Sequence, residues 1–291
     1  VSSTTTSYEY DDINRLVRTT RPDASQINYS YDSRGNRTSM TGSTITSQDF
    51  NPGTFTYNEW GEAESYTTPE GVTTSYEYDA EGLRTKKITN NGTTRYYCDN
   101  AGRVIAEADG SNQVTAEIIW GNKPLARKVG STYYYYLYNG HGDVIALTDE
   151  SGNIVNSYDY DEWGNLTSES EQIANPIRYA GEYYDNESGL YYLRARYYDP
   201  VLGRFISKDS VEGDITNPLS LNLYTYVENN PINRWDPSGK ESVIVRDWVE
   251  SRGGEVYWDP YTSYVTLSLN GITQRYYGPT YVNSFDSRMY M

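Results

Sequence analysis

Aromatic residues recur along this chain two apart, with one residue between them and a turn just after. The pairs are Tyr8 and Tyr10, Tyr29 and Tyr31, Phe55 and Tyr57, Tyr76 and Tyr78, Tyr136 and Tyr138, and Tyr158 and Tyr160. Tyr96 and Cys98 repeat the spacing with cysteine in the second place. Side chains two apart on a strand share a face, so each pair is predicted to lie on one side of a sheet. Taking a turn residue as position zero, the aromatics stand at −6 and −4, and Asp or Asn stands at −3. Position zero is Gly35, Gly61, Gly82, Gly102, Gly142 or Gly164, with Asn14 in the first copy and a weaker copy at Ile118 to Gly121. These positions step by 21, 26, 21, 20, 19, 21 and 22 residues. Steps this regular mark a repeat.

Each unit reads as two strands and two turns. Asp or Asn at −3 caps the first turn through its side chain, and glycine at zero takes a positive φ, which Asn14 also tolerates. A returning strand follows, as in "GLRTKKI" and "GDVIALT". Then comes a second turn, such as Asn90 to Gly92, Ala108 to Gly110 or Glu150 to Gly152. Such turns between alternating strands are hairpin signals. No helix-period segment of useful length appears before residue 240. A lone two-stranded unit cannot bury its face, so units must pair edge to edge into a long sheet. The predicted fold is mainly β: a coiled or spiralling antiparallel β-hairpin ribbon.

Composition changes the picture in one respect. Only 36 % of residues are hydrophobic, yet the 291 residues include 33 Tyr, 6 Trp and 4 Phe. Tyrosine therefore replaces aliphatic residues as packing material, with a ring to bury and a hydroxyl to satisfy. The formal net charge of −16 repels phosphate backbones and argues against nucleic acid as a partner. One cysteine, Cys98, gives no intrachain disulfide, and one histidine, His141, gives no multi-histidine metal site. No metal and no cofactor is expected, and no run of residues has the length of a membrane span.

The frame Y-x-Y-D-x-x-G resembles the YD repeat of the Rhs/YD-repeat family. "NPIRYAGEYYDNESGLYYLRARYYDPVLGRFISKDS" (175–210) and "LNLYTYVENNPINRWDPSG" (221–239) resemble the Rhs-associated core and its end. The resemblance divides the chain into a repeat ribbon (1–174), a core (175–239) and a C-terminal module (240–291). It implies a ribbon that spirals into a hollow shell, closed at one end by the core. Such shells hold or display a variable C-terminal segment, often a toxin, and belong to secreted or cell-surface bacterial proteins. About eight repeats, in a chain that starts in mid-pattern, fit the C-terminal end of something longer. They also fit a sheet that covers its edges by associating with other copies.

In some relatives the core is an aspartyl autoprotease that cuts after D-P-x-G. The matching positions are Asp209 in "ISKDS" and Asp236 in "WDPSG", with Asp214 as a spare and Arg204 as a charge partner. Two carboxylates sharing a proton could activate water there. The sequence departs from that pattern at Ser210, where Pro is usual, and at Lys240, where Leu is usual. The competing expectation is that Asp209 and Asp236 cap turns and pair with Arg194, Arg196 or Arg204. "YLRARYYDP" is read as placing Arg194 and Arg196 on one strand face, as structural arginines stacked among tyrosines.

After Gly239 the grammar changes. Val243 to Gly253 reads as a strand leading into a short helix, "EVYWD" as a strand and "YVTLSLNG" as another. This β-α-β-β unit resembles the small stalk-like module named after copper amine oxidases. With no His or Cys in it, a transition-metal site is not expected. Three functions stay open on the sequence. The first is a structural scaffold that self-assembles through open sheet ends and the C-terminal module. The others are a toxin-carrying shell with an autoprotease core, and an adhesin whose tyrosines, as in Thr132 to Gly140, stack glycans.

Overall fold

A computed structural model describes residues 5–42, 53–240 and 242–244, and the strands Glu255–Asp259, Tyr264–Leu269 and Ile272–Tyr277. The chain is mainly antiparallel β, and every neighbouring strand pair in the repeat region is a sequence-adjacent hairpin. It divides into two units. One comprises Val1–Ser47 with Val201–Met291, and the other Gln48–Pro200.

The first unit holds a four-stranded meander of β1 (Ser7–Tyr10), β2 (Leu16–Thr20), β3 (Gln26–Tyr31) and β4 (Arg37–Thr41). The second holds a twelve-stranded meander: β5 (Thr54–Tyr57), β6 (Ala63–Thr67), β7 (Thr73–Tyr78), β8 (Arg84–Thr89), β9 (Gly92–Cys98) and β10 (Val104–Ala108). It continues through β11 (Val114–Trp120), β12 (Pro124–Val129), β13 (Thr132–Tyr138), β14 (Val144–Thr148), β15 (Ile154–Tyr160) and β16 (Leu166–Glu171). The sheets divide between β4 and β5, where the repeat takes its one long step, from Gly35 to Gly61.

One turn shows how the sequence closes the tyrosine hairpins at Asp11, Asp32, Asn58, Asp79, Asp99, Asn139 and Asp161. Between β7 and β8, the Asp79 amide donates to the Leu83 carbonyl at 2.9 Å, and the Gly82 amide to the Asp79 carbonyl at 3.1 Å. Asp79 Oδ1 accepts the amides of Glu81 and Leu83 at 3.0 and 2.9 Å. Gly82 sits at φ +79° and Asn14 at +64°, the left-handed region that a side chain other than Asn or Asp rarely adopts. The −4 residue then pairs across a β-bulge, as in Tyr78 with Arg84, so the return strand starts twisted. The turns at Arg21, Thr68, Asp109 and Asp149 close the same way, the Asp149 amide bonding the Asn153 carbonyl at 2.9 Å, whereas β8–β9 and β12–β13 turn more tightly, with Thr89 paired to Gly92 and Val129 to Thr132.

The two tyrosine positions are not equivalent. At −6, Tyr29, Tyr76, Tyr96, Tyr136 and Tyr158 are all buried, and in the weak copy, whose turn is two residues shorter, Ile118 takes the same place two residues before the bulge pair Trp120–Pro124. At −4, Tyr31, Tyr78, Tyr138 and Tyr160 are half-buried. In three of them the hydroxyl reaches the previous hairpin: Tyr31 donates to the Leu16 carbonyl at 2.7 Å, Tyr138 to Pro124 at 2.7 Å and Tyr160 to Val144 at 2.9 Å, while the Tyr78 hydroxyl meets that of Tyr197 at 3.4 Å. Trp120 Nε1 makes the same bond to Val104 at 2.7 Å. Where the −4 aromatic makes this bond it needs a donor at its tip, which phenylalanine lacks.

After the repeats, residues 175–200 run over the inner face of the twelve-stranded sheet with β17 (Tyr183–Asp185), β18 (Leu190–Tyr192) and β19 (Tyr197–Asp199). In the other unit, Arg204–Phe205 forms β20 and Arg234–Trp235 forms β21, which pairs with β22 (Val243–Ile244). The segment 201–236 grips the repeat turns of its own unit. Asn222 Nδ2 donates to the Arg34 carbonyl and Asn229 Nδ2 to the Gly35 carbonyl, each at 2.8 Å.

The C-terminal module differs from its expected β-α-β-β form. Val243–Ile244 pairs back onto Arg234–Trp235. The strands Glu255–Asp259 (β23), Tyr264–Leu269 (β24) and Ile272–Tyr277 (β25) form a three-stranded antiparallel meander, with a third strand that had not been predicted. The expected helix falls on residues outside the described ones.

Candidate functional site

The inner face of the twelve-stranded sheet carries buried charges. On each return strand, two positions face inward, at +2 and +5 from the turn residue. In a plain copy both are apolar, as with Ala63 and Tyr66 or Val144 and Leu147, all buried. In β8 they are Arg84 and Lys87, in β10 the second is Glu107, and in β12 the corresponding residue is Arg127. Arg84, Glu107 and Arg127 are buried despite their charge.

Each of these charges meets a partner placed by residues 175–200 or by the adjacent hairpin. Arg84 Nη1 and Nη2 clasp the Asp185 carboxylate, with Nη2 at 3.2 Å from Oδ1, and Nη1 also donates to the Tyr197 hydroxyl at 3.0 Å. The guanidinium lies 4.3 Å from the Tyr192 ring centroid and 4.8 Å from that of Tyr96. Lys87 Nζ donates to Asp185 Oδ1 at 3.1 Å and to Glu187 at 2.9 Å. Arg127 binds Glu107 through two parallel bonds of 2.9 and 2.6 Å, and the Tyr183 hydroxyl donates to Glu107 at 3.0 Å. Arg178 spans Glu169 at 3.0 Å and Glu171 at 3.1 Å, between the rings of Tyr158 and Tyr184.

The electrostatics follow from this pairing. Burial alone would raise the Asp185 carboxyl, but the Arg84 and Lys87 cations overcome it and hold it below the usual carboxylate range. Burial likewise works against Arg84, and Asp185 more than offsets it. The same logic holds Asp143 low beside His141, whose Nδ1 lies 2.7 Å from Asp143 Oδ1. Two groups go the other way. Burial pushes Asp161 up to about 6, and burial takes Lys123 down to about 8, partly offset by Asp143. The tyrosine hydroxyls are pushed up by burial, Tyr78 and Tyr96 to about 12, so they stay protonated donors.

Arg194 and Arg196 do not share a strand face. Residues 193–196 form the turn between β18 and β19, with Arg194 at φ +61° and the Leu193 amide bonded to the Arg196 carbonyl at 2.9 Å. The Ala195 position between them, read from the sequence as part of a strand, is a turn position because β18 and β19 are only three residues each. Arg194 reaches Glu182 at 2.6 Å, and Arg196 is buried. Arg204 stacks over Tyr224, 5.0 Å from its centroid.

Asp209 and Asp236 both lie in the unit that contains β1–β4. Asp209 Oδ1 accepts the Val211 amide at 2.8 Å. Asp236 is buried, and its Oδ1 collects the amides of Ser238, Gly239 and Lys240 at 3.1, 2.7 and 3.2 Å. Asp214 Oδ1 accepts the Thr216 amide at 2.8 Å. Each carboxylate thus caps the turn that follows it. Among the described residues no group of three or more His, Cys, Asp or Glu side chains is arranged to hold a metal ion, and no helix is long and apolar enough to cross a membrane.

The inner charges had a signal in the sequence: Arg84, Lys87, Glu107 and Arg127 occupy return-strand positions that two other copies fill with Ala63 and Tyr66 or with Val144 and Leu147. Their partners carried none, because Arg84 and Asp185 are 101 residues apart.

Comparison with known proteins places this geometry. Residues 120–232 match the teneurin YD-shell model, and 10–44 and 57–94 match the RHS repeat model. The tRNA nuclease WapA of Bacillus subtilis (strain 168) is 35 % identical over 269 residues, covering 79 % of this chain and 12 % of that protein. The toxin protein Tse5 of Pseudomonas aeruginosa is 37 % identical over 116 residues, 38 % of this chain and 8 % of Tse5. The chain thus spans only a small fraction of these relatives. Among solved structures, TcdB2-TccC3 superposes with a TM-score of 0.62 at 21 % identity, over 80 % of this chain and 16 % of that one. The Tc holotoxin pore of Photorhabdus luminescens superposes equally well at 19 % identity. The two family models, together with relatives more than one-third identical across 79 % of the sequence, show the family: the chain belongs to the Rhs/YD-repeat family.

Proposed function

We propose that the chain is a non-catalytic scaffold, the closing part of a secreted or cell-surface bacterial shell that carries the segment following Gly239. The observation that supports the reading most is the filling of the inner sheet face. Residues 175–200 place Asp185, Tyr183 and Arg178 against inward charges from β8, β10, β12 and β16, so the core segment is locked to the repeats it follows. In the other unit, Asn222 and Asn229 fasten residues 201–236 to the Arg34–Gly35 turn, and the segment after Gly239 leaves from there. The names of the relatives, a tRNA nuclease and a toxin, support a cargo at that end, while their chemistry remains theirs.

The capping roles of Asp209 and Asp236 favour a scaffold over an autoprotease. A carboxylate already holding three amides is committed to the turn and is a poor base for water. Intact mass of the purified chain, followed over days at neutral and mildly acidic pH, tests this. A single stable full-length mass is expected. Cleavage after Gly239 that disappears in Asp209→Asn and Asp236→Asn would overturn the non-catalytic reading and leave the toxin-carrying shell with an autoprotease core.

A further inference from the structure

One hairpin lacks the aromatic that ties others to their neighbours. In four copies the aromatic that pairs across the bulge donates to a carbonyl of the hairpin before. Tyr31 reaches Leu16, Trp120 reaches Val104, Tyr138 reaches Pro124 and Tyr160 reaches Val144. The acceptor is each time the return-strand residue that itself pairs across the bulge, as Leu16 does with Tyr10 and Val144 with Tyr138. The residue just before the acceptor covers the ring. Arg15 lies 4.7 Å from the Tyr31 centroid, Arg103 5.4 Å from that of Trp120 and Lys123 5.4 Å from that of Tyr138. In β9 the bulge position is Cys98, paired with Val104, and its side chain is a whole ring shorter. Tyr78 pairs with Arg84 in the hairpin before, so Arg84 is the matching acceptor and Leu83 the matching cover. A recess of about 440 Å³, counting its mouth, lies at that place. Leu83, Arg84 and Cys98 line it, with Trp120 of the next hairpin and Tyr183 and Tyr192 of the core segment. It is narrow, and the part wide enough for water is little larger than one molecule. That suits one flat ring entering edge-first and excludes a branched or fused group.

We propose that this recess is a binding site for a phenol, a single aromatic ring with a hydroxyl, held where tyrosine sits in the other hairpins. The ring takes the place next to Cys98, and its hydroxyl donates to the Arg84 carbonyl as the Tyr31 hydroxyl does to that of Leu16. The walls suit a ring, because Trp120, Tyr183 and Tyr192 offer faces and edges for offset or T-shaped contact. Burial pushes the Cys98 thiol up, so it stays neutral and leaves the floor apolar. A separate observation calls for a polar tip on the ligand. Arg84 is 2 % exposed, and its Nε has no hydrogen-bond partner. A phenol oxygen can accept from that N–H, whereas a hydrocarbon ring would leave it unsatisfied. A tyrosine side chain of a partner segment and a free phenol present the same group to this site.

Cys98 is half-buried and is the one cysteine of the chain, so its alkylation by iodoacetamide, read by intact mass of the full chain, reports on the recess alone. p-Cresol, the tyrosine side chain as a free molecule, should slow alkylation saturably, with a Kd of about 1 mM. Toluene should protect about tenfold more weakly, the worth of one hydrogen bond. N-acetyltyrosinamide separates the two sources. Protection by it as well as by p-cresol assigns the site to a tyrosine of a peptide, and protection by p-cresol alone assigns it to a free phenol. Cys98→Tyr supplies the ring covalently. Its Tm should exceed the parent's, and p-cresol should raise the Tm of the parent but not of the variant. No protection by either phenol would overturn the site, and equal protection by toluene and p-cresol would overturn its assignment to a phenol. A Cys98→Tyr chain less stable than the parent would show that a ring has no place there and would overturn the proposal equally.

Discussion

Arg84 and Asp185 make the clearest case at the scale of single residues, because both charges are withdrawn from water and each is answered by the other. Removing one member leaves an uncompensated buried charge, which costs on the order of 3–5 kcal/mol. Asp185→Asn should therefore lower stability by about that amount, and Arg84→Met combined with Asp185→Leu should recover most of it in equilibrium urea unfolding. Asp161 offers the opposite sign. Its carboxyl is raised by burial to about 6, so its contribution is fully present below the ordinary carboxylate range and is lost as pH rises through 6. A rise of about two units corresponds to roughly 3 kcal/mol. Asp185, held low, contributes above the ordinary range and loses that contribution as pH falls. Comparing unfolding at pH 4.5 and pH 7 in the parent and in Asp161→Asn separates the two. The variant should lack the part of the decline between those values that belongs to Asp161, and an unchanged pH profile would contradict the assignment.

At the scale of elements, the hairpin was legible because its determinants are local. Two aromatics, an Asp or Asn and a Gly within seven residues specify strand, cap, left-handed turn and bulge without reference to the rest of the chain. What the frame could not convey is context. Gly61 and Gly164 hold the same place in the repeat at φ +82° and +88°. A β-carbon on Gly61 would meet nothing within 4 Å, whereas one on Gly164 would lie 2.5 Å from the Tyr179 ring. Gly61→Ala should cost about 1 kcal/mol, the conformational term alone. Gly164→Ala should cost clearly more, because a buried ring must shift, and thermal unfolding of the two variants reads the difference. Tyr138→Phe tests the cross-hairpin bond to Pro124. The loss should be about 1–2 kcal/mol, since the carbonyl is left without its donor. The two-arginine turn at 193–196 shows the converse failure. Alternation in "LRARYY" imitates a strand, but Arg194 is in the left-handed region and the strands on either side stop short of it.

At the scale of the molecule, sequence order and spatial grouping part company. A repeat ribbon followed by a core suggests a linear division, yet β1–β4 group with the segment after Val201, while β5–β16 group with residues up to Pro200. The physical reason lies in side chains with no local pattern. Asn222 and Asn229 find the Arg34–Gly35 turn nearly 200 residues earlier, as Asp185 finds Arg84. Each unit thus has its own long-range fastening, and each fastening can be loosened separately. Within a meander, stability adds up from neighbouring hairpins, so damage stays where the lost contacts were. Asn229→Ala removes the bond to the Gly35 carbonyl and belongs to the first unit. Asp185→Asn belongs to the second. Hydrogen exchange followed by mass spectrometry should show lost protection in β1–β4 and residues 201–236 for Asn229→Ala, and in β5–β16 and 175–200 for Asp185→Asn, with little crossover. Uniform loss of protection in either variant would mean that the whole chain unfolds as one cooperative body, and the two fastenings would then act on a single transition.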